Sequence, residues 1–299
     1  MENQQNLTYV IGDVHGCFYT LKKLMDRLPP EAEIIFVGDL CDKGRFSKEV
    51  IEFVISNDYQ CVKGNHEHLM QKYLYDAVIK QEHSPWSEDH RYGGVQTYQS
   101  YIDDHASMLK HIAWIENLPM YIQKERYFIT HGYALPFYEH KDNAAYYNDF
   151  LLNRYEKGMQ INSSDVVNIF GHCVFDEVIE HESFYAIDTG CSYGNKLTAI
   201  ELGSMKQIQE PMDLRDSTYT IKELELSQTK LAIYKDDLEA LIRHIDGEFH
   251  HYDIVSTEVA AFIVEQFGEL GRAEIPKMLE KKQLFIKQAK KFLSHSVES

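Results

Sequence analysis

The chain has 299 residues, 44% of them hydrophobic and 26% charged, and carries a formal net charge of −17. That is an ordinary globular composition with a marked acidic excess, which argues against a nucleic-acid or anionic-membrane partner and leaves charge for bound cations to offset. No apolar run reaches membrane-spanning length and the polar stretch Met1 to Asn6 shows no signal peptide, so we expect a cytoplasmic protein.

Residues 7–11 read as a strand, followed by Gly12-Asp13-Val14-His15-Gly16. Phe18 to Leu28 follows as an amphipathic helix with Leu21, Leu24, Met25 and Leu28 on one face, stopped by Pro29-Pro30. The plan repeats. A strand at 34–37 runs into Gly38-Asp39-Leu40-Cys41-Asp42-Lys43-Gly44, and a helix spans Ser47 to Ser56 with Ser47 as the expected N-cap. A third strand, 60–62, runs into Lys63-Gly64-Asn65-His66-Glu67 and a helix from His66 to Ile79. Strands alternating with helices predict stacked βαβ units and an α/β fold.

Residues 80–104 are polar and mixed, include Trp86 and Gly93-Gly94, and read as an insertion over the sheet edge. A helix is expected over Ala106 to Asn117. Strands are expected over Tyr127 to Thr130 and Val166 to Phe170, with a helix between them over Asn143 to Tyr155. Phe184 to Ile187 and Leu197 to Leu202 are expected as a hairpin-like pair of strands around Gly190 and Gly194. After Pro211, helical spacing takes over at Ile221 to Ile245, Thr257 to Leu270 and Ile275 to Leu293. The expected division is a main domain over 1–212 and a helical C-terminal extension over 213–299. That extension would cover a sheet face, mediate oligomerisation or act as a lid. The five cysteines are odd in number and form no Cys-x-x-Cys pair, so they read as reduced thiols.

The chemistry sits just past the strands. Asp13 and His15 follow the first, Asp39 the second, Asn65 and His66 the third, and His131 and His172 follow two later ones beside glycines. Ligands bind beyond the C-terminal strand ends of such sheets. Oxygen and imidazole donors gathered there suit hard or borderline divalent ions. Two ions ~3.5–4 Å apart that share one carboxylate would lower the pKa of a bridging water toward ~7, and the hydroxide could attack phosphorus in line. The leaving alkoxide then needs a proton. His66 is the candidate acid and Asp42 its carboxylate partner. Lys43 and Arg154 are candidates for binding the phosphate.

These three blocks, in this order, resemble the calcineurin-like metallophosphoesterases. Within them the chain is most similar to the phosphoprotein phosphatase family, with its bacterial serine/threonine phosphatases and diadenosine tetraphosphatases. His131-Gly132, Gly171-His172 and Asp188-Thr189-Gly190 are similar to that family's later landmarks. The resemblance covers roughly residues 7–205. It implies a β-sandwich flanked by helices. It also implies that Asp13 and His15 bind one metal, that Asp39 bridges, and that Asn65, His131 and His172 bind the other. His66 would be the acid paired with Asp42, Asn65 would also face the phosphate, and Glu67 would be a support. Two divalent ions are implied, with manganese expected and iron or zinc the alternatives. One departure stands out: the family usually carries arginine where this chain has Lys43, and lysine is a point charge rather than a two-pronged clamp.

The expected activity is hydrolysis of phosphomonoesters, with phosphoserine or phosphothreonine on protein as the leading substrate. A small phosphoester, in particular a diadenosine polyphosphate, is the alternative. An inactive binding or scaffold protein is the reading from another class. No nucleic-acid or membrane partner is expected.

Overall fold

The computed structural model describes residues 7–88, 92–156, 159 and 165–218. The chain divides into two units, Met1–Asp216 and Ser217–Ser299, and every described helix and strand lies in the first. The three helices expected beyond Pro211 lie outside the described residues.

Each expected strand–helix unit forms. They are β1 (Thr8–Ile11) and α1 (Phe18–Met25), β2 (Glu33–Phe36) and α2 (Ser47–Ser56), then β3 (Gln60–Cys61) and α3 (Asn65–Tyr75). Three helices follow, α4 (Pro85–Glu88), α5 (Gly94–Tyr101) and α6 (His105–Glu116), then strands β4 (Tyr121–Lys124) and β5 (Tyr127–Thr130). The remainder is α7 (Tyr147–Leu152), β6 (Val167–Phe170), β7 (Ile179–His181), β8 (Phe184–Ala186), β9 (Lys196–Glu201) and β10 (Gln207–Pro211). No helix among the described residues is long and apolar enough to cross a membrane.

The strands form two five-stranded sheets, ordered β10-β9-β1-β2-β3 and β4-β5-β6-β8-β7. Each holds three parallel strands, β1, β2 and β3 in one and β5, β6 and β8 in the other, flanked by antiparallel neighbours. Alternate strand residues serve different layers, as the period of two requires. Val10, Ile35, Ile129, Ile169 and Ile200 pack together between the sheets. Their neighbours Tyr9, Ile11, Ile34 and Phe36 pack outward with Leu21, Leu24, Val50, Ile51 and Val54 of α1 and α2. This is a β-sandwich flanked by helices.

Several expectations need correction. Phe184–Ala186 and Lys196–Glu201 are not a hairpin. β8 pairs with β6 and β7 in one sheet, while β9 pairs with β1 and β10 in the other. The segment between them crosses from sheet to sheet, and Gly190 and Gly194 take positive φ to allow it. Ser47 does not cap α2. Phe46 is the cap residue, and the Ser47 hydroxyl instead accepts the Asp42 backbone N–H at 2.9 Å. The helix expected over 143–155 shrinks to α7 behind short 3₁₀ turns. Strands β4, β7 and β10 lay outside the sequence reading because all three are sheet edges. Half-exposed edge strands carry little hydrophobic alternation, and β10 even ends in Pro211, which edges tolerate.

Candidate metal centre

Six strand ends converge. From the first sheet, β1 delivers Asp13 and His15, β2 delivers Asp39 and Asp42, and β3 delivers Asn65 and His66. From the second, β5 delivers His131, β6 delivers His172 and β8 delivers Asp188. His15, Asp39, Asp42, Lys43 and His172 all adopt positive φ, a conformation that costs non-glycine residues free energy. Among the described residues, these are five of the nine non-glycine positions with positive φ.

Among the described residues two donor groups form, and both contain Asp39. One is His15, Asp39 and His66; the other is Asp39, His131 and His172. The two oxygens of Asp39 face different groups. Oδ2 lies 3.5 Å from His15 Nε2, while Oδ1 lies 3.3 Å from His131 Nε2. Asp13 Oδ2 stands 4.0 Å from His15 Nε2. Its carboxylate also receives the His172 backbone N–H at 3.1 Å. Asn65 Oδ1 lies 2.8 Å from His131 Nε2. The expected set, Asp13, His15, Asp39, Asn65, His131 and His172, is therefore gathered in one place.

The donor set fits divalent ions on three counts. First, the histidines are aimed. His15 Nδ1 lies 2.8 Å from the Cys41 carbonyl and His131 Nδ1 lies 2.9 Å from the Val37 carbonyl. A carbonyl only accepts, so each Nδ1 carries the proton and each Nε2 turns toward Asp39. This is the backing that metal-binding imidazoles usually have. Second, Asp13, Asp39 and Asp188 are all at most 3% exposed, and buried carboxylates need compensating charge. Third, without an ion the charges sit badly. Burial, then repulsion from Asp188 and Asp39, pushes the Asp13 carboxyl well above its usual range. Burial likewise raises Asp188. Burial would raise Asp39 too, but His131, His66 and His15 hold it well below. Burial opposes a proton on His131, yet Asp39 draws one on and raises it. Burial holds His15 well below its usual value, and burial, then His131, brings His172 down to about 2. Divalent ions would displace the His131 proton and let the carboxylates ionise together.

Supports surround these donors. Glu67 is fully buried and accepts the backbone N–H groups of Asp39 and Leu40 at 2.7 Å each and of Gly64 at 2.9 Å, tying the second turn to the third. His66 Nδ1 lies 2.7 Å from Asp42 Oδ2. Lys43 Nζ donates to the Tyr193 hydroxyl at 2.6 Å, and its charge bears on Asp13, His15 and Asp188. Arg154 is exposed, and its charge bears on His172. It follows Asn153, whose carbonyl accepts the Tyr133 N–H at 3.0 Å, beside His131-Gly132.

The sequence reading missed four residues. Asp188-Thr189-Gly190 follows a strand as the other blocks do, and that signal could have made Asp188 a site residue. Trp86, Thr97 and Tyr193 reach the site across long sequence gaps, and no local pattern marks them.

Gly171 has no room for a side chain, because a methyl group there would land on Asp13 Oδ1 and on Val37. Gly171→Ala is expected to displace Asp13 and weaken metal binding by at least about tenfold, the scale of lost support around a metal. Metal titration against the parent chain checks this, and unchanged affinity would remove Asp13 from the donor set.

A model of the calcineurin-like phosphoesterase family matches residues 7–201. The asymmetrical bis(5'-nucleosyl)-tetraphosphatase of Anoxybacillus flavithermus is 25% identical over 237 residues, covering 68% of this chain and 93% of that protein. The symmetrical bis(5'-nucleosyl)-tetraphosphatase of Methylobacillus flagellatus is 23% identical over 287 residues, covering 72% of this chain and 98% of the other. A serine/threonine phosphatase structure from Saccharomyces cerevisiae shares the fold, with a TM-score of 0.50 at 15% identity, over 71% of this chain and 81% of that one. The family match runs through every strand end that carries the site, and this chain belongs to the calcineurin-like phosphoesterases.

Proposed function

We propose that this metallophosphoesterase is binuclear. Asp13, His15 and Asp39 would hold one divalent ion, and Asp39, Asn65, His131 and His172 the other. The observation that carries this is Asp39, whose two oxygens turn to two different histidine groups 3.5 and 3.3 Å away. Mixed oxygen and imidazole donors suit manganese, with iron and zinc as alternatives. When bound, such ions would neutralise phosphoryl charge and make a water more acidic.

The protein's own residues would do the rest. Lys43 and Arg154 would bind the phosphoryl oxygens together with the Asn65 side chain. His66, held through Nδ1 by Asp42, would present an Nε2 proton to the leaving oxygen. Water oxygen would bond to phosphorus as water gives up one proton to solvent, the ester P–O bond would break with its electron pair on the leaving oxygen, the Nε2 proton would pass to that oxygen, and the imidazole would then regain a proton from solvent.

Two substrate classes have support. The His66–Asp42 pair favours a phosphomonoester of an alcohol, such as phosphoserine or phosphothreonine, because an alkoxide is a poor leaving group that needs a proton. The sequence relatives, which are bis(5'-nucleosyl)-tetraphosphatases, favour a dinucleoside tetraphosphate. Phosphate release from a phosphopeptide and nucleotide release from diadenosine tetraphosphate, measured on the manganese-loaded protein, separate them. A chelator is expected to abolish the activity and added manganese to restore it. A metal-loaded protein that cleaves neither substrate sinks the reading.

A further inference from the structure

The general-acid pair does not stand alone. Asp42 is fully buried and its backbone is in the left-handed region at φ 70°. Its carboxylate meets three donors. Oδ2 accepts from His66 Nδ1 at 2.7 Å and from Trp86 Nε1 at 2.8 Å, and Oδ1 accepts from the Thr97 hydroxyl at 2.7 Å. The Thr97 oxygen also lies 3.1 Å from the Asp42 backbone N–H and 2.9 Å from the Ser47 hydroxyl. Trp86 is 1% exposed and Thr97 is fully buried. Both come from the helical insertion, Trp86 from α4 and Thr97 from α5.

The insertion is built to place that indole. A methyl group on Gly94 would stand 2.6 Å from Trp86 Nε1, so only glycine lets the ring lie flat there. The preceding Gly93, at φ 73°, accepts the Lys43 backbone N–H at 3.0 Å. The insertion therefore grips both Asp42 and Lys43, the two polar residues that the second strand's turn offers beyond Asp39.

We infer that Trp86 and Thr97 are positioning residues for the proton donor: their N–H and O–H groups hold the Asp42 carboxylate so that Oδ2 points at His66 Nδ1 and His66 Nε2 points at the leaving oxygen. This rests on the phosphoesterase reading. A carboxylate with one donor removed can rotate about its Cα–Cβ and Cβ–Cγ bonds, and the imidazole it orients then loses its aim. Small errors of orientation are expensive in catalysis.

The test is a comparison of leaving groups. Trp86→Phe keeps the ring and loses the N–H; Thr97→Val keeps the shape and loses the O–H. Both are measured with an alkyl phosphate, whose alkoxide needs a proton, and with p-nitrophenyl phosphate, whose phenolate leaves readily without one. With manganese bound, kcat on the alkyl ester is expected to fall at least about tenfold, a part of the 10²–10⁴ that general-acid catalysis supplies. On the nitrophenyl ester it is expected to fall less than about threefold, with KM and metal content unchanged. Thr97→Ser, which restores the hydroxyl, should recover most of the rate lost in Thr97→Val. In an Asp42→Asn background, Trp86→Phe should add no further loss, because both act through one carboxylate. In the metal-free protein, the His66 Nδ1–H proton resonance should shift in Trp86→Phe, as it would if the Asp42 acceptor moved. Equal losses on both esters, an additive double variant or an unmoved resonance would each overturn the inference while leaving the phosphoesterase reading intact. A parent protein inactive on both esters would overturn the inference, and one inactive on diadenosine tetraphosphate as well would overturn both.

Discussion

Asp39→Asn is expected to lower turnover by at least about a hundredfold and to cut the number of metal ions retained per chain. The reason is geometric and electrostatic together. Asp39 is the one residue common to both donor groups. Its oxygens face His15 on one side and His131 on the other, and Oδ1 also accepts the His66 backbone N–H at 3.0 Å. An asparagine has the same shape but one carbonyl oxygen, no charge, and an NH₂ group that must point at one of the two histidine groups. It cannot bridge. Loss of the shared charge would remove both the proposed Lewis-acid arrangement and its neutralisation of developing phosphoryl charge. Steady-state kinetics with elemental analysis of the purified variant checks this. A variant with near-parental turnover and a full metal complement would end the binuclear proposal.

His66→Asn is expected to cost about a hundredfold or more in kcat on alkyl phosphomonoesters, the range general-acid catalysis supplies. The metal count should be unchanged. The metal count is decisive because His66 Nε2 lies 3.9 Å from Asp39 Oδ2 and could itself be a ligand, grouped with His15. The two roles predict different losses. A proton donor leaves the ions in place and hurts poor leaving groups most. A ligand takes an ion with it and hurts every substrate alike. The firm hold of Asp42 on Nδ1, at 2.7 Å and fully buried, supports the donor role. Loss of an ion in His66→Asn would reassign His66 to the first metal.

The position of the donors along the chain was legible early. Tyr9-Val10-Ile11, Ile34-Ile35-Phe36-Val37 and Cys61-Val62 announce strands by their β-branched and aromatic content, and a glycine with Asp, His or Asn beside it announces each turn. The edge strands β4 and β7 were not legible, because Tyr121–Lys124 and Ile179–His181 bury too little to be patterned. Residues 80–104 looked like a polar insertion with no task. Only the fold shows that two of its side chains close on Asp42, 44 and 55 positions away.

What the amino-acid sequence determined by itself was which residues stand at strand ends and that their donor chemistry suits divalent ions. Strand, turn and helix signals are local, and a motif of five or seven residues carries them whole. What only the tertiary structure decided was how those ends meet: that β8 and β9 part into different sheets, that Asp39 turns one oxygen to each histidine group, and that Asp188, Trp86, Thr97 and Tyr193 join the site. Those facts depend on which side chains arrive at one point from distant parts of the chain, and packing between two sheets and an inserted pair of helices settles that, not periodicity within any one segment.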